Sequence, residues 1–527
     1  MCALITVENK CAFEASQDET VLDALKRSGI AFSAPCGGRG ICGKCRVALL
    51  KGTVRLAGTA ETNAADTERY AKPGEFFSTC MGTALSDITI ELPDENNSEE
   101  NSIETQESIA AKTGSGKISR AGIAIDIGTT TVQAELIDLD SEKCMETMSA
   151  LNAQRSFGSD VMSRINAARK GQTRELFTAI NRQTENILKY FIRKWELPGI
   201  EQCTVSGNTT MLHLFAGIDP SPMGEVPFTP VFLEERRIAG SELSLSAERI
   251  TILPGISAFV GADIVSGLAF LDILNRQENS LIVDIGTNGE MALWKSKEKT
   301  ILCCSTAAGP CFEGAEISCG MGALPGAINS VNVKEKPVAE GRYFDFGPLR
   351  YTTLGNIPAK GICGSGLIDA MAAMKNLGII DETGALTDDY TEAGFPLTEG
   401  IVVSQKDIRQ FQLAKSAILS GITVLCERAG IETPARLDTV YIAGGLGFFI
   451  NLKNAVTAGL LPPGFAETYK GKSRAAVCGN TSLKGAVKCL SDPTFLKRCR
   501  EIISVCKTVE LASGSDFSEA FAENMYF

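Results

Sequence analysis

The stretch GIAIDIGTTTVQAELIDLD, residues 122–140, joins an apolar strand to a second strand through the turn Asp-Ile-Gly-Thr. The same pattern returns in SLIVDIGTNGEMALW, residues 280–294. Each copy is followed by a later strand that ends in a glycine turn and opens a helix, in TVSGNTTML (204–212) and in TVYIAGGLG (439–447). Short β-branched strands that alternate with helices are typical of α/β folds. Two copies in one order therefore indicate an internal duplication.

A third matched pair supports the duplication. VGADIVSGLA (260–269) and CGNTSLKGA (478–486) both carry Gly-x5-Gly where a strand meets a helix. We therefore predict two similar α/β halves, residues 121–279 and 280–527, which face each other across a cleft. The second half is longer, and an irregular stretch in it predicts an insertion near 331–410.

The beginning of the chain has a different pattern. Residues 3–9 alternate like a strand, residues 15–29 have the pattern of a capped amphipathic helix, and residues 88–93 have the pattern of a further strand. These features predict a small α+β domain at residues 1–93. The segment 94–120 is polar, acidic and free of aromatic residues, so it cannot bury enough apolar surface to fold alone. We predict a flexible linker there, with a root-mean-square span of about 30 Å.

Three cysteines stand in the glycine-rich stretch CGGRGICGKC, residues 36–45, and a fourth follows in FFSTC. The spacing is Cys36-x5-Cys42-x2-Cys45, with Cys80 as the distant member. Glycines let a loop wrap closely around a metal cluster while its N–H groups point at the sulfurs. Structural zinc usually takes two close pairs of ligands, so zinc is the weaker interpretation. The arrangement predicts a [2Fe–2S] cluster, and its spacing resembles adrenodoxin-like and bacterial ferredoxins, with one residue more than the plant type.

The composition argues against several classes of function. The chain has 527 residues and a net charge of −12, which makes nucleic acid an unexpected partner. Its 18 cysteines are scattered through a long sequence that starts without an export signal, so we expect most to be reduced thiols. Since no apolar run of about 18 residues is present, we expect a cytoplasmic protein without membrane contact. His213 is the single histidine, which argues against Ser-His-Asp catalysis, and its apolar helix indicates a core residue.

The two Asp-Ile-Gly-Thr turns have the residues of a phosphate site. Backbone N–H groups and hydroxyls can hold phosphate oxygens, and an Asp at the strand end can hold Mg²⁺ or its water. We predict Asp126 and Asp284 as the catalytic pair that organises Mg²⁺ and the attacking water. The predicted phosphate holders are Gly128, Thr129, Thr130, Gly286, Thr287, Asn288 and Gly289. Three glycines are expected to border the adenosine of ATP, namely Gly444, Gly445 and Gly447.

These motifs, in this order, resemble the acetate kinase, sugar kinase, Hsp70 and actin superfamily of ATP-binding folds. The resemblance implies the fold class: an α+β ferredoxin-like (β-grasp) N-terminal domain, followed by a duplicated α/β ribonuclease-H-like ATPase domain. The alternative is a ribonuclease-H-like core that has lost its nucleotide.

The whole chain resembles one family, the reductive activators of corrinoid proteins. NAQRSFGSDVMSRI (152–165), SGNTTMLHLFAGIDP (206–220) and GICGSGLIDA (361–370) look like its signatures. The resemblance implies ATP-dependent, one-electron reduction of Co(II) to Co(I) in a corrinoid protein of a methyltransferase system. It also implies a low-potential electron donor and a homodimer through the ATPase domain. Some relatives insert a small domain after the linker or carry C-terminal Cys-x2-Cys motifs, and this sequence departs from both patterns, so we expect one cluster.

Three other interpretations fit the same motifs. A small-molecule kinase with a redox-sensing ferredoxin domain would turn over ATP with a sugar or a carboxylate. An activator of another low-potential reductase or dehydratase would hold a [4Fe–4S] cluster between subunits, whereas this sequence predicts two-iron chemistry within one chain. A non-enzymatic redox adaptor would keep its function when both cleft aspartates are replaced.

Overall fold

A computed structural model describes most of the chain. The described residues are 3–8, 10–16, 18–28, 30, 32, 34, 38, 40, 45–57, 69–92, 117–334, 343–445, 450–469, 472–511 and 514–527. Most of the predicted linker at 94–120 lies outside them, as do Cys36, Cys42 and Gly447. None of the described helices is both long and apolar enough to cross a membrane.

The N-terminal module is a mixed β-sheet with a helix packed on it. Its described elements are β1 (Ala3–Val7), β2 (Cys11–Ala15), α1 (Val21–Arg27), β3 (Arg46–Lys51), β4 (Val54–Leu56), β5 (Arg69–Ala71), β6 (Phe76–Ser78), β7 (Gly82–Ala84) and β8 (Ile88–Glu91). The main sheet has the order β2-β1-β8-β3-β6, with β1 and β8 parallel, and β5-β4-β7 form a smaller sheet. Buried side chains of β1, α1, β3 and β8 make one core. The ferredoxin-like fold class is confirmed.

The helix α1 is shorter than the sequence pattern predicted. Ala15 belongs to β2, where it pairs with Ala3 of β1, and Asp18 has a φ of 62°, which a right-handed helix does not allow. The helix begins after Thr20, whose hydroxyl accepts a hydrogen bond from the N–H of Asp23 at 3.1 Å. The predicted helix therefore starts too early, because Ala15 ends the second strand of a hairpin and the residues after it lead to the helix.

The first half of the ATPase domain is built on a six-stranded sheet. Its elements are β9 (Ala121–Ile127), β10 (Thr131–Asp138), β11 (Lys143–Leu151), α2 (Val161–Ala167), α3 (Thr173–Lys194), β12 (Gln202–Gly207), α4 (Thr209–Phe215), β13 (Arg236–Ala239), β14 (Arg249–Ile252) and α5 (Ala262–Phe270). The order is β11-β10-β9-β12-β14-β13. β10 runs antiparallel to β9 and β11, whereas β12 runs parallel to β9 and β14.

The second half repeats this sheet and adds to it. Its elements are β15 (Ser280–Ile285), β16 (Gly289–Lys295), β17 (Thr300–Thr306), β18 (Ala327–Val333), β19 (Phe344–Phe346), β20 (Leu349–Thr353), β21 (Gly361–Ile362), α6 (Gly364–Asn376), β22 (Phe395–Thr398), β23 (Ile401–Val403), α7 (Gln405–Arg428), β24 (Thr439–Ala443), α8 (Leu452–Thr457), β25 (Thr468–Tyr469), β26 (Lys472–Ser473), β27 (Ala475–Gly479), α9 (Thr481–Ser491), α10 (Phe495–Val505), β28 (Cys506–Thr508) and α11 (Ser515–Glu523). The main sheet has the order β27-β24-β15-β16-β17-β28.

Both halves therefore share one topology. Five strands of each sheet correspond, β11-β10-β9-β12-β14 in the first half and β17-β16-β15-β24-β27 in the second. Counted in chain order among these five, both sheets have the order third, second, first, fourth, fifth, with the first three strands antiparallel and the last two parallel to the first. This is the predicted duplicated ribonuclease-H-like fold class, which is confirmed. In the second half, a four-stranded sheet of order β19-β20-β18-β21 follows β17, and α6 packs on β18. In the first half, the corresponding place after β11 holds α2 and α3.

The two halves touch where α5 packs against α9. A Cβ atom at Gly267 of α5 would lie 2.7 Å from Thr481 Oγ1, and one at Gly485 of α9 would lie 2.5 Å from the carbonyl oxygen of Ser266. Only a residue without a side chain permits so close an approach. These two glycines are the last members of the repeated Gly-x5-Gly pair, and the pair marks the contact on which the halves meet.

Candidate nucleotide cleft and cluster site

A cavity of about 210 Å³ lies between the two halves. Both Asp-Ile-Gly-Thr turns border it. The predicted residues in its lining are Asp126, Gly128, Thr129, Thr130, Asp284, Gly286, Thr287, Asn288, Gly444 and Gly445. The loop 321–324 and the residues 363–365 at the start of α6 complete one wall, although the sequence analysis did not assign them to the nucleotide.

The first turn, between β9 and β10, is closed by its own backbone. The N–H of Gly128 donates to the carbonyl of Thr131 at 3.0 Å, and a Cβ at Gly128 would lie 2.7 Å from that same oxygen. The side-chain amide of Asn152 donates to the carbonyl of Gly128 at 2.8 Å, and that of Asn208 donates to Thr129 Oγ1 at 3.1 Å. Side chains of Asn152 and Asn208 thus fix the conformation of the turn, and the hydroxyls of Thr129 and Thr130 lie at the cavity.

The second turn, between β15 and β16, is more open. The N–H of Gly286 donates to the carbonyl of Asn288 at 3.0 Å, and a Cβ at Gly286 would meet no atom closer than 3.7 Å. Gly289 differs from the other predicted phosphate holders. It begins β16, and a Cβ there would lie 2.1 Å from Ile418 Cδ1 of α7. Its lack of a side chain serves packing against that helix.

Asp126 is hydrogen-bonded across the cleft. Its Oδ2 accepts from the side-chain amide of Asn480 at 2.7 Å, and its Oδ1 accepts from the hydroxyl of Ser482 at 2.7 Å. Both partners stand at the start of α9 in the second half. Burial raises the pKa of Asp126, and the two hydrogen bonds counter this shift because they favour the charged form.

Asp284 has several other carboxylates near it. Burial, followed by the charges of Asp263, Asp126 and Glu313, raises the pKa of Asp284 well above its usual range. Burial and the charge of Asp126 raise the pKa of Asp263 to about 7. A cation in the cavity would return such groups to their charged forms, because an opposite charge nearby favours ionisation.

The two carboxylates Asp126 and Asp284 suit a Mg²⁺ ion that binds together with a nucleotide. Within the described residues, no three His, Cys, Asp or Glu side chains come close enough together to hold a metal ion by themselves. Mg²⁺ in phosphate sites usually takes one or two carboxylates and completes its shell with water and phosphate oxygens. Asp126 and Asp284 face one cavity with both phosphate turns, so they fit this pattern.

Sequence reasoning missed three carboxylates of the cavity: Asp263, Glu290 and Glu313. The first two lie inside the repeated stretches 260–269 and 280–294, so their place in the motifs was a usable signal. Glu313 ends a short 3-10 helix, Pro310–Glu313, in a loop that the duplication does not repeat. It accepts hydrogen bonds through Oε2 from the hydroxyls of Thr130 and Thr287, one from each turn.

The side of the cavity that was predicted to hold adenosine is bounded by the backbone of two glycines. Gly444 has a φ of 95°, and a Cβ there would lie 2.6 Å from Asp284 Oδ1. At Gly445 a Cβ would meet nothing within 4 Å, so this position opens into the cavity. A planar ring can lie against such a surface without side-chain interference. The third predicted glycine, Gly447, lies outside the described residues.

Two of the four predicted cluster cysteines are described, and they lie together. The Sγ atoms of Cys45 and Cys80 are 3.2 Å apart, both residues are buried, and neither is part of a disulfide. Hydrogen bonding from Cys80 lowers the pKa of Cys45 to about 5. A Cβ at Gly40 would lie 2.5 Å from Met81 Sδ, so the backbone at Gly40 comes close to the residue that follows Cys80. Two converging thiols with a glycine nearby fit a [2Fe–2S] cluster.

His213 is a structural residue. Its Nε2 accepts from the N–H of Val231 at 3.0 Å, so Nδ1 carries the hydrogen and donates to the carbonyl of Thr209 at 2.8 Å. The ring stacks on Phe232 at 4.4 Å between centroids. Burial lowers the pKa of His213, which favours this neutral form. The predicted core position is confirmed, since the residue is 0% exposed.

Three family models match the chain. The model described as the C-terminal domain of RACo, the ASKHA domain, matches residues 278–527, and the RACo middle region matches residues 121–276. The 2Fe-2S iron-sulfur cluster binding domain matches residues 5–84. The three matches follow the N-terminal module and the two halves described above.

Two curated proteins are similar over most of the chain. The corrinoid activation enzyme RamQ of Eubacterium limosum is 31% identical over 437 residues, which is 77% of this chain and 70% of that protein. A Methanosarcina barkeri protein described as [Co(II) methylated amine-specific corrinoid protein] reductase is 28% identical over 412 residues, 74% of this chain and 72% of that protein. A solved structure, a reductive activator for corrinoid, iron-sulfur protein, matches with a TM-score of 0.69 at 28% identity, covering 100% of this chain and 98% of that one.

Proposed function

Because this chain belongs to the family of corrinoid activation enzymes, we propose that it returns the Co(II) form of a corrinoid protein to Co(I) with the help of ATP. The reaction is a one-electron reduction, and the cobalt belongs to the corrinoid protein that is reduced. The observation that carries the proposal is one cavity shared by two phosphate turns, in a chain whose N-terminal module brings two buried thiols within 3.2 Å of each other.

Each part of the chain has a separate task in this proposal. Cys36, Cys42, Cys45 and Cys80 hold the [2Fe–2S] cluster, which when bound supplies single electrons at low potential, roughly −400 mV in plant-type ferredoxins. Every additional 59 mV or so of uphill transfer lowers the equilibrium for one electron about tenfold. An independent source of free energy is therefore needed when the acceptor is harder to reduce than the donor.

The ATPase cleft supplies that source through a change of conformation. The turns at 128–130 and 286–289 hold the phosphates from both sides, Asp126 and Asp284 organise Mg²⁺, and Gly444, Gly445 and Gly447 border the adenosine. The contacts of Asp126 with Asn480 and Ser482 join one half to the other. Because a nucleotide in this cavity touches both halves, its binding favours one relative position of the halves over another.

The wider setting of the reaction is part of the same proposal. The corrinoid protein serves a methyltransferase system, a low-potential donor reduces the N-terminal module, and two copies associate through the ATPase domain in the cytoplasm. The methyltransferase system, the donor and the dimer are proposed from the family resemblance.

The test is to mix the purified, reduced protein with a corrinoid methyltransferase subunit in its Co(II) form and to follow the Co(I) absorbance. We expect Co(I) to form with ATP and to stay at background with ADP or without nucleotide. Equal Co(I) formation in all three samples would remove the role of ATP. Phosphorylation of a sugar or a carboxylate in the absence of any corrinoid protein would favour the kinase alternative.

A further inference from the structure

One carboxylate of the cavity is bound to both phosphate turns at once. Glu313 Oε2 accepts from the hydroxyls of Thr130 and Thr287, and those two hydroxyl oxygens lie 3.3 Å apart. Thr130 belongs to the first half and Thr287 to the second. This oxygen therefore lies where the two turns meet.

The other carboxylates are engaged differently. Both oxygens of Asp126 already accept hydrogen bonds from the second half, as expected for a charged group that orients a cation or a water. Asp284 lies against the backbone at Gly444, where a Cβ would come within 2.6 Å of its Oδ1. Glu313 differs from these carboxylates. In the described part of the chain, it is the carboxylate of the cavity that accepts hydrogen bonds from a threonine hydroxyl of each Asp-Ile-Gly-Thr turn, and so from both halves.

The loop that carries Glu313 is held firmly. Phe312 is buried and packs edge-on against Phe411 of α7, with centroids 5.9 Å apart. Gly314 has a φ of 80°, and a Cβ there would lie 2.4 Å from the carbonyl oxygen of Met321. A carboxylate placed by such packing loses little freedom when the substrate arrives, which is what an oriented catalytic group requires.

We propose that Glu313 is the general base of ATP hydrolysis in this cleft, a step that rests on the proposed function. The oxygen of a water molecule bonds to the γ-phosphorus while the bond from that phosphorus to the β–γ bridging oxygen breaks. The carboxylate of Glu313 takes the proton from the water, ADP and phosphate leave, and the proton passes on to solvent or phosphate. The two threonine hydroxyls donate to Glu313 and so hold its carboxylate at the turns that are predicted to bind the phosphates.

The test uses Glu313→Gln in the full-length protein, with Glu316→Gln as a matched control on the same loop, where Glu316 is exposed. Steady-state hydrolysis of Mg·ATP is measured together with the Kd of a non-hydrolysable ATP analogue and the melting temperature. General bases contribute roughly 10²–10⁴-fold, so we expect kcat to fall by about that factor in Glu313→Gln. The Kd should stay within about threefold, and Glu316→Gln should behave as wild type.

A second variant distinguishes the loss of a general base from a folding defect. Glu313→Asp keeps a carboxyl group on a shorter side chain, so we expect a kcat between those of wild type and Glu313→Gln, at unchanged analogue affinity. A kcat in Glu313→Gln within about tenfold of wild type would overturn the inference alone, since the proposed function would stand. Equal losses of kcat, affinity and melting temperature in both variants would show a structural role and overturn it as well. A wild-type protein that binds ATP without hydrolysing it would overturn this inference alone, since the proposed function requires only that ATP binding changes the position of the halves.

Discussion

Asp126 and Glu313 are held across the same cavity in complementary ways. Asp126, from the first half, accepts from an amide and a hydroxyl of the second half. Glu313, from the second half, accepts from one hydroxyl of each half. Each carboxylate therefore links the halves, and a nucleotide that enters between the turns must rearrange or join both links. We therefore expect nucleotide binding to change the relative position of the halves through these two residues.

Iron content tests the cluster site at the residue scale. We expect Cys45→Ser and Cys80→Ser to lose nearly all bound iron and the visible absorption of the purified protein, because a thiolate ligand is missing from a four-cysteine set. Cys11→Ser is the matched control, since Cys11 lies in the same module and is exposed. Iron retained at the control level in both variants would show that the cluster ligands lie elsewhere.

The single histidine allows a direct measurement of pH dependence. Burial and the charge of Arg236 lower the pKa of His213, so the folded state binds its proton less readily than the unfolded chain. Stability from this group is complete above the unfolded pKa of about 6.5 and falls as the pH drops below it, levelling off under the folded pKa. We expect NMR titration of the one histidine signal to give a pKa below about 6.5.

Two neighbouring arginines provide the control for that titration. Arg236→Gln should raise the pKa of His213 because it removes a positive charge that acts on the ring. Arg237→Gln, one residue further along β13, should leave the pKa near its wild-type value. A histidine pKa at or above about 6.5 in the wild type would contradict the buried, neutral ring described here.

The phosphate turns were predictable from sequence because each repeats a strand, an Asp-Ile-Gly-Thr turn and a strand. Position within the repeat also indicated Asp126 and Asp284, which end their first strands. Glu313 was not predictable, since it reaches the cavity from a loop that lacks a counterpart in the repeated motifs. Gly289 shows the opposite case: it follows the motif, yet its missing side chain makes room for Ile418.

At the scale of elements, the packing of α5 on α9 joins the two halves. Gly267 and Gly485 bring the two helices into contact, and Ser266 and Ser482 both hydrogen-bond to Ser206. Ser482 also donates to Asp126. The contact between the helices is thus connected directly to the nucleotide cavity.

Alanine at one of these glycines tests the contact. A Cβ in Gly485→Ala would lie 2.5 Å from the carbonyl oxygen of Ser266, so the helices must separate. We expect a loss of about 1–3 kcal/mol in the free energy of unfolding, together with weaker ATP binding. Gly199→Ala is the control, because a Cβ there would meet nothing within 4 Å. Denaturant unfolding of both variants makes the comparison, and equal stabilities would contradict this account of the helix contact.

The elements also show where pattern reasoning loses accuracy. The likeness of the two halves followed from a repeated motif, whereas the start of α1 did not follow from its apolar spacing. Ala15 continues the hairpin with Ala3, and Thr20 caps the helix later in the chain. The pairing of β2 with β1 outweighs the amphipathic pattern of residues 15–20, and this pairing is visible only in the folded chain.

At the scale of the whole molecule, the N-terminal module contacts the first half. The ammonium group of Lys26 on α1 lies 5.3 Å from the centroid of the Phe157 ring, and the Lys26 side chain is 5% exposed. Phe157 itself is buried in the core of the first half. If the predicted linker at 94–120 has its expected root-mean-square span of about 30 Å, we expect the module to be able to leave this contact.

The central claim is that a nucleotide in the duplicated cleft drives electron delivery to cobalt, and one experiment tests it most directly. The rate of Co(I) formation from a Co(II) corrinoid protein is measured with ATP for the wild type, for Asp126→Asn/Asp284→Asn, and for the control Asp388→Asn/Asp389→Asn, whose two residues are exposed. We expect wild type and control to form Co(I) rapidly, and the cleft variant to fall to the rate seen without ATP while its iron content is unchanged. Co(I) formation as fast in the cleft variant as in the wild type would contradict the account.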